Sequence, residues 1–361
     1  MAVKTLRPLV IELIGRRARR VRGAKPDDQR GFTVVEVMIS VVIFAIVVAA
    51  TYGLLEVGRA GRLNTNQRWE VLQNVRIALN AVGRDAINAG VDYTNLGAMI
   101  PSGKLTVVGG ANDGDGNPDF LTPVFAADNV NSVNGVLTDQ VTFLYIDDSF
   151  NGGTSVPASA VSAPAVTPTT VTIQSGYTNA PFNVGDIYLI SGQNATAIGM
   201  LTAKGGTSTL TFANTDPLTL NSSGVNAAVN RVAPPASISR VAWVTYWVAD
   251  QDGNGTGTGT LMRRVYGGFN SGTGLAINWA DQPLAFGIEN MQIQYVLSDS
   301  SIVDSPALNR MQDIRQIRVS VTVRSPDPDP KNIDPATRMP RPFRSTVTAS
   351  FSTRNLVYEK L

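Results

Sequence analysis

Two groups of side chains have the types and spacing to do chemistry. The first is a single carboxylate, Glu36, the only charge among the 24 residues of FTVVEVMISVVIFAIVVAATYGLL, Phe32–Leu55. A carboxylate deep in a membrane helix costs on the order of 2.5–3.5 kcal/mol on insertion scales, so such a residue is expected to have a function. The plain alternative is that it reaches the headgroups, being only four residues from Phe32. The second group is Asp113, Asp115, Asn117 and Asp119, which place side-chain oxygens at alternate positions as the ligands of a calcium loop are placed. The stretch is not an EF-hand, because position 6 counted from Asp113 is Pro118 and position 12 is Val124. Asx- and Gly-rich turns look the same without metal, so a bound Ca2+ and a plain turn both stand as readings.

The composition excludes much else. With neither Cys nor His, the chain has no disulfide, thiolate nucleophile, Cys/His zinc site or Ser-His-Asp triad. Ser, Lys and Asp are scattered without a spacing that builds a nucleophile and its base, and no enzyme is expected. Trp243 and Trp247, four apart, share one face of a strand and are expected in packing.

The elements that position Glu36 follow from charge and periodicity. Residues 1–31 hold nine Lys/Arg against Glu12, Asp27 and Asp28, a net +6 that leaves −4 on the remainder of a chain whose total is +2. A basic tail joined directly to an apolar run keeps the tail cytoplasmic and sends the rest of the chain across the membrane. The arginines have no interleaved aromatics, so no specific nucleic-acid partner is inferred. The 24-residue run spans about 36 Å as a helix, enough for a bilayer. A cleaved secretory signal and an ordinary signal anchor both account for such a run, but neither accounts for Glu36.

Beyond it, Trp69, Leu72, Val75, Leu79, Val82 and Ala86 recur at helical spacing. No proline occurs between Pro26 and Pro101, and Gly90 is placed to cap a helix end, so one helix is expected from about Phe32 to Ala89. Its parts are a membrane half over 32–55 and an amphipathic half over 56–90, with Gly53, Gly58 and Gly61 near the junction.

The string Arg30-Gly31-Phe32-Thr33-Val34-Val35-Glu36, with a basic leader before it and an apolar helix after it, resembles the prepilin signal of type IV pilins and type II secretion pseudopilins. The resemblance implies that a membrane peptidase cuts between Gly31 and Phe32, removes residues 1–31 and methylates the new Phe32 amine. It also implies that Glu36 neutralises the terminal amine of a neighbouring subunit in a filament. Arg76-Ile77-Ala78-Leu79, Arg84-Asp85 and Ala89-Gly90 resemble the helix end of PilW-like minor pilins and J-type minor pseudopilins. The chain departs from many major pilins in having no proline within the membrane helix, which removes the usual cause of a kink there.

From Pro101 the sequence turns to short β-rich segments. Ile317, Val319, Val321 and Val323 alternate with Arg318, Ser320, Thr322 and Arg324, and Val347, Ala349 and Phe351 repeat the pattern. Further strands are expected over 140–146, 169–174, 186–190, 207–213, 238–249, 259–266 and 288–297. Residues 150–168 and 325–342 are expected as surface loops, 250–255 as a hairpin turn, and 150–237 as an inserted subdomain within the exported body, 101–361. One-sided strands imply an antiparallel sheet, and the apolar stripe of the helix is expected to pack on it, an α+β, pilin-like fold.

The reading is a minor type IV pilin of PilW-like type, which primes or joins a pilus and is expected near its tip. Its expected partners are prepilin peptidase, other minor and major pilins, the inner-membrane assembly platform and, before assembly, the membrane. It is expected as a single-pass inner-membrane protein, N-terminus cytoplasmic and body periplasmic, and then in a cell-surface pilus. The alternatives are a J-type minor pseudopilin and a signal-anchored, calcium-dependent adhesion domain that does not polymerise.

Overall fold

The structure, a computed structural model, describes residues 31–112, 114–162, 168–222, 227–250, 257–270, 273 and 275–356. Most of the expected leader, Asp113 and residues 251–255 of the expected turn lie outside these. The chain divides into two compact units, residues 1–61 and 62–361.

The helix α1 runs from Val34 to Asn88, and its helical hydrogen bonding continues through Gly53, Gly58 and Gly61. In the first unit every residue from 31 to 59 is exposed. A helix is the way such a β-branched run satisfies its backbone in an apolar solvent, since all its bonds stay within the segment. Its polar side chains are also paired locally: Ser40 Oγ donates to the Glu36 carbonyl at 2.8 Å and Thr51 Oγ1 to the Val47 carbonyl at 2.7 Å.

In the second unit α1 buries Val71, Val75, Ala78, Leu79, Val82 and Ala86. These recur at three and four residues and form one stripe. Trp69, expected at the head of that stripe, is instead 61% exposed. It lies six residues before Val75, about 240° round a helix, so the short steps counted from it drift off the buried face. The end at Gly90 is as expected: it adopts φ +81, which a residue without a Cβ does at little cost, and its N–H donates to the Leu144 carbonyl at 2.9 Å.

The longer strands after the helix are β1 (Val124–Val133), β2 (Val136–Ile146), β3 (Val156–Val161), β4 (Thr169–Ile173), β5 (Ile187–Ser191), β6 (Thr196–Met200) and β7 (Thr209–Phe212). They are followed by β8 (Ala236–Asp250), β9 (Gly259–Tyr266), β10 (Trp279–Leu297), β11 (Ile314–Ile333) and β12 (Pro340–Ser352). Seven of them form an antiparallel series in the order β12-β11-β10-β9-β8-β2-β1. The long strand β8 belongs to two neighbourhoods. Its C-terminal part pairs with β2 and β9, while residues 236–240 pair with β3 on one side and β5 on the other. From there β3-β4-β7 and β5-β6 extend the sheet. A parallel contact, Met99 to Ala197, links β6 to the short strand Ala98–Ile100.

Two apolar cores result. The larger joins the α1 stripe to Ile317, Val319, Val321 and Val323 of β11, to Ile288, Met291 and Ile293 of β10 and to Val244 and Tyr246 of β8. The alternation read along β11 therefore does face the helix, and the α+β arrangement of helix on antiparallel sheet holds. The smaller core gathers Phe150, Val156, Phe182, Tyr188, Ile190, Phe212 and Ile238. Trp243 is buried against Tyr266 with ring centroids 4.6 Å apart, and Trp247 lies under the Arg264 guanidinium at 4.5 Å.

Two expected loops are corrected. Within 150–168, Val156–Val161 is a strand, because Val156 and Ala158 belong to the second core. Within 325–342, β11 continues to Ile333 and pairs with β12 through register shifts. Such irregularities let prolines sit in a hairpin whose regular ladder they would interrupt. Ser325 and Asp329 there are buried, not surface residues.

Candidate functional site

The N-terminal segment presents Gly31, Phe32 and Thr33 ahead of the first helical residue, Val34. The Thr33 carbonyl accepts the Val37 N–H at 3.2 Å, which makes Thr33 the N-cap. Thr33 and Glu36 then satisfy each other. The Thr33 N–H and hydroxyl donate to Glu36 Oε2 at 2.9 and 3.0 Å, and the Glu36 N–H donates to Thr33 Oγ1 at 3.3 Å. This is a capping box, spelled Thr-x-x-Glu in the sequence, and sequence reasoning missed it because the charge of Glu36 drew attention to partners outside the chain. The carboxylate is thus engaged locally, while Phe32, at 84% exposure, and the apolar residues after it are exposed among the described residues. Among the described residues one helix is long and apolar enough to cross a membrane, over Val34–Arg59.

The C-terminal part of α1 is anchored by a second carboxylate. Asp85 is 1% exposed, and its Oδ2 accepts from the Tyr246 hydroxyl at 2.7 Å and from Arg263 Nε at 3.1 Å. Its Oδ1 accepts from Arg84 Nε at 3.3 Å and lies 3.5 Å from the Tyr145 hydroxyl. Burial and then the Asp85 charge push the Tyr246 hydroxyl well above its ordinary pKa. Burial works against the Arg263 charge, but Asp85 and Tyr246 outweigh it and hold that pKa above the usual value. The cluster fixes which side of α1 meets the sheet, since a buried carboxylate is tolerated only where donors are already in place. Asn355 reaches the helix end as well, donating to the Ile87 and Ala89 carbonyls at 3.1 and 3.3 Å.

Of the acidic loop, Asp115, Asn117 and Asp119 are among the described residues, and Asp113 is not. Asp119 is buried at the start of the short strand Asp119–Leu121, and its Oδ2 accepts the Gly103 N–H at 2.8 Å. Asp115 accepts from the N–H and side-chain amide of Asn117 at 2.7 and 3.0 Å, as an Asx turn does. The structure therefore brings Asp115 and Asn117 together and sends Asp119 inward. Among the described residues, which include neither Asp113 nor, for this purpose, the amide of Asn117, no group of three or more Asp, Glu, His or Cys side chains gathers.

Sequence reasoning also missed Asp139 on β2, which is buried and accepts N–H groups from Asn129 at 3.0 Å and Ile293 at 2.6 Å. Burial, reinforced by the charge of Asp128 and opposed by those N–H groups, pushes its pKa up to about 6.

Two protein-family models match the chain. The prokaryotic N-terminal methylation motif matches residues 27–52, which include Gly31, Phe32, Thr33 and Glu36. The type IV pilus-assembly protein W model matches residues 245–350, which include Tyr246 and Arg263, the partners of Asp85, and most of β12. No curated protein and no solved structure matches the chain.

Proposed function

We infer that this chain is a PilW-like minor type IV pilin with a prepilin signal, a component of pilus assembly, and that it enters the filament by three linked steps. The leader is cut between Gly31 and Phe32 by prepilin peptidase. The Phe32 amine is methylated. The Glu36 carboxylate then pairs with the Phe32 amine of a neighbouring subunit as apolar helices stack.

The observation that carries this reading is an apolar segment, Phe32–Leu55, that is exposed among the described residues and holds one carboxylate. In a lone subunit Thr33 satisfies part of that carboxylate and the membrane interface is about 6 Å of helix rise away, so its cost is modest. In a dry helix bundle that escape is lost, and two opposite charges entering together each remove the penalty of the other. The role is structural, not enzymatic. The net charge of the leader keeps the N-terminus in the cytoplasm and delivers the sheet-bearing body to the periplasm, from which the inner-membrane platform and the other pilins draw it to the cell surface.

The test is a bulky substitution at the cleavage site. Gly31→Leu is expected to leave the full-length precursor in the membrane fraction, read by its size beside the wild type. Normal processing of that variant would overturn the cleavage assignment.

A further inference from the structure

The edge strand β12 carries a long regular ladder. It ends the seven-strand series, and among the described residues it pairs with β11 alone. The register from Gln316↔Ser352 to Arg324↔Arg344 is unbroken, and the Thr353 N–H extends it by donating to the Arg315 carbonyl at 3.1 Å. Antiparallel alternation then turns the N–H and C=O of Ser345, Val347, Ala349 and Phe351 toward β11 and those of Thr346, Thr348, Ser350 and Ser352 outward.

Natural edges are blunted by charge, proline, bulges or shortness. The opposite edge, β1, is interrupted by a register shift between Ala127 and Asn131, where Asn129 has φ +56 and Asp128 sits beside it. The strand at the far end of the second neighbourhood, Ala203–Gly205, is three residues long. None of these devices protects Ser345–Ser352, whose sequence is STVTASFS. The threonine hydroxyls do not turn back on their own edge either: Thr346 and Thr348 bond Thr322 and Ser320 at 2.8 and 2.7 Å.

A second, independent observation concerns the inner face. Ile317, Val319, Val321 and Val323 on β11 are at most 1% exposed, whereas Phe343, Val347, Ala349 and Phe351 beside them on β12 are only partly buried. Among the described residues that row is less covered than its β11 neighbours, with the Arg68 guanidinium over the Phe343 ring at 4.9 Å. A strand carrying apolar residues at alternate positions completes it, with its backbone bonding to the outward groups of β12.

We propose that β12 receives an extended, uncharged segment of a different pilin-type subunit, which adds a strand to this sheet. The proposal rests on the pilin reading above for the identity of the partner. Backbone pairing gives the affinity, and the half-buried row selects a segment with alternating apolar side chains.

The experiment uses the full chain co-expressed with the other pilins of its host, comparing sheared pili with detergent-extracted membrane subunits. The amides of Thr346, Thr348 and Ser350 are expected to exchange slowly in pili and fast in the lone subunit. Thr348→Pro removes an outward N–H but no bond to β11, and its recovery in pili is expected to fall on the order of tenfold below that of Thr348→Val at equal membrane level. Wild-type protein in pili with unprotected amides, or equal recovery of the two variants, would overturn the edge proposal and leave the pilin reading intact. Absence of the wild type from pili would overturn both. The chain has no cysteine, so a disulfide-linked homodimer of Thr348→Cys in oxidised pili would mean that a second copy, not a different subunit, occupies the edge, and would also overturn the proposal.

Discussion

Asp85 on α1 and Arg263 on β9 meet at 3.1 Å, with the aspartate buried and the Tyr246 hydroxyl completing its shell at 2.7 Å. Removing one partner of a buried pair leaves the other desolvated and unpaired, at about 3–5 kcal/mol. Asp85→Ala in the 62–361 unit is therefore expected to lose stability in that range by urea denaturation. Arg263→Ala is expected to cost less, because its side chain retains 15% exposure and water can reach it. The double variant should cost less than the sum of the two. Additive losses would show that the residues act separately.

Gly83 and Phe351 set how closely the helix approaches the sheet edge. A Cβ on Gly83 would overlap the Phe351 ring at Cε1, Cδ1 and Cζ. Gly83→Ala gains helix propensity but overpacks this contact, and a net loss of about 1–3 kcal/mol is expected. Adding Phe351→Leu should recover part of it. A Gly83→Ala chain more stable than wild type would mean that the ring moves aside freely.

The raised pKa of Asp139 has a definite sign. The folded state holds this proton more tightly than the unfolded chain, so the group favours folding at low pH, and its contribution is lost as pH rises from about 4 to about 6. The amount is on the order of 2 kcal/mol. Asp139→Asn cannot titrate, so its stability relative to wild type is expected to improve by that amount between pH 4 and pH 7. Measuring both by denaturant at the two pH values checks this, and a constant difference would contradict it. Asp147 and Asp334, whose pKa values are held below the ordinary carboxylate value, act in the opposite sense at lower pH and cancel in the comparison.

Some of this was readable in the sequence for physical reasons. An uninterrupted apolar run, a glycine after the last stripe residue and strict alternation along β11 are local signals that burial and lipid impose directly. Strand β1 was hidden because Val124–Ala127 are all buried, so its first half shows no alternation. Strand β3 was hidden in a Gly/Ser/Ala/Pro stretch whose strand character comes from the second core. Asp139 gave no signal because its donor Ile293 lies 154 residues away. The role of Glu36 came from a resemblance, while its bond to Thr33 was written in the spacing and is separable from that role.

Thr33 and Glu36 permit the local bonding of the carboxylate and its proposed pairing to be tested apart. Thr33→Ala removes the cap, worth about 1 kcal/mol at the first turn, and keeps the charge. Glu36→Gln keeps a capping oxygen and removes the charge. If pairing with a neighbouring amine drives assembly, Glu36→Gln is expected to be depleted from sheared pili while Thr33→Ala is recovered near the wild-type level, both at normal membrane abundance. The reverse pattern would make the helix cap, not the charge pair, the requirement for assembly.

The most direct measurement is the N-terminal sequence and mass of the wild-type protein recovered from sheared pili. The expected chain begins with N-methylated Phe32 and lacks residues 1–31. A filament-associated chain that begins at Met1 or Ala2, or an unmethylated one cut elsewhere, would contradict the processing and pairing roles assigned to Gly31, Phe32 and Glu36.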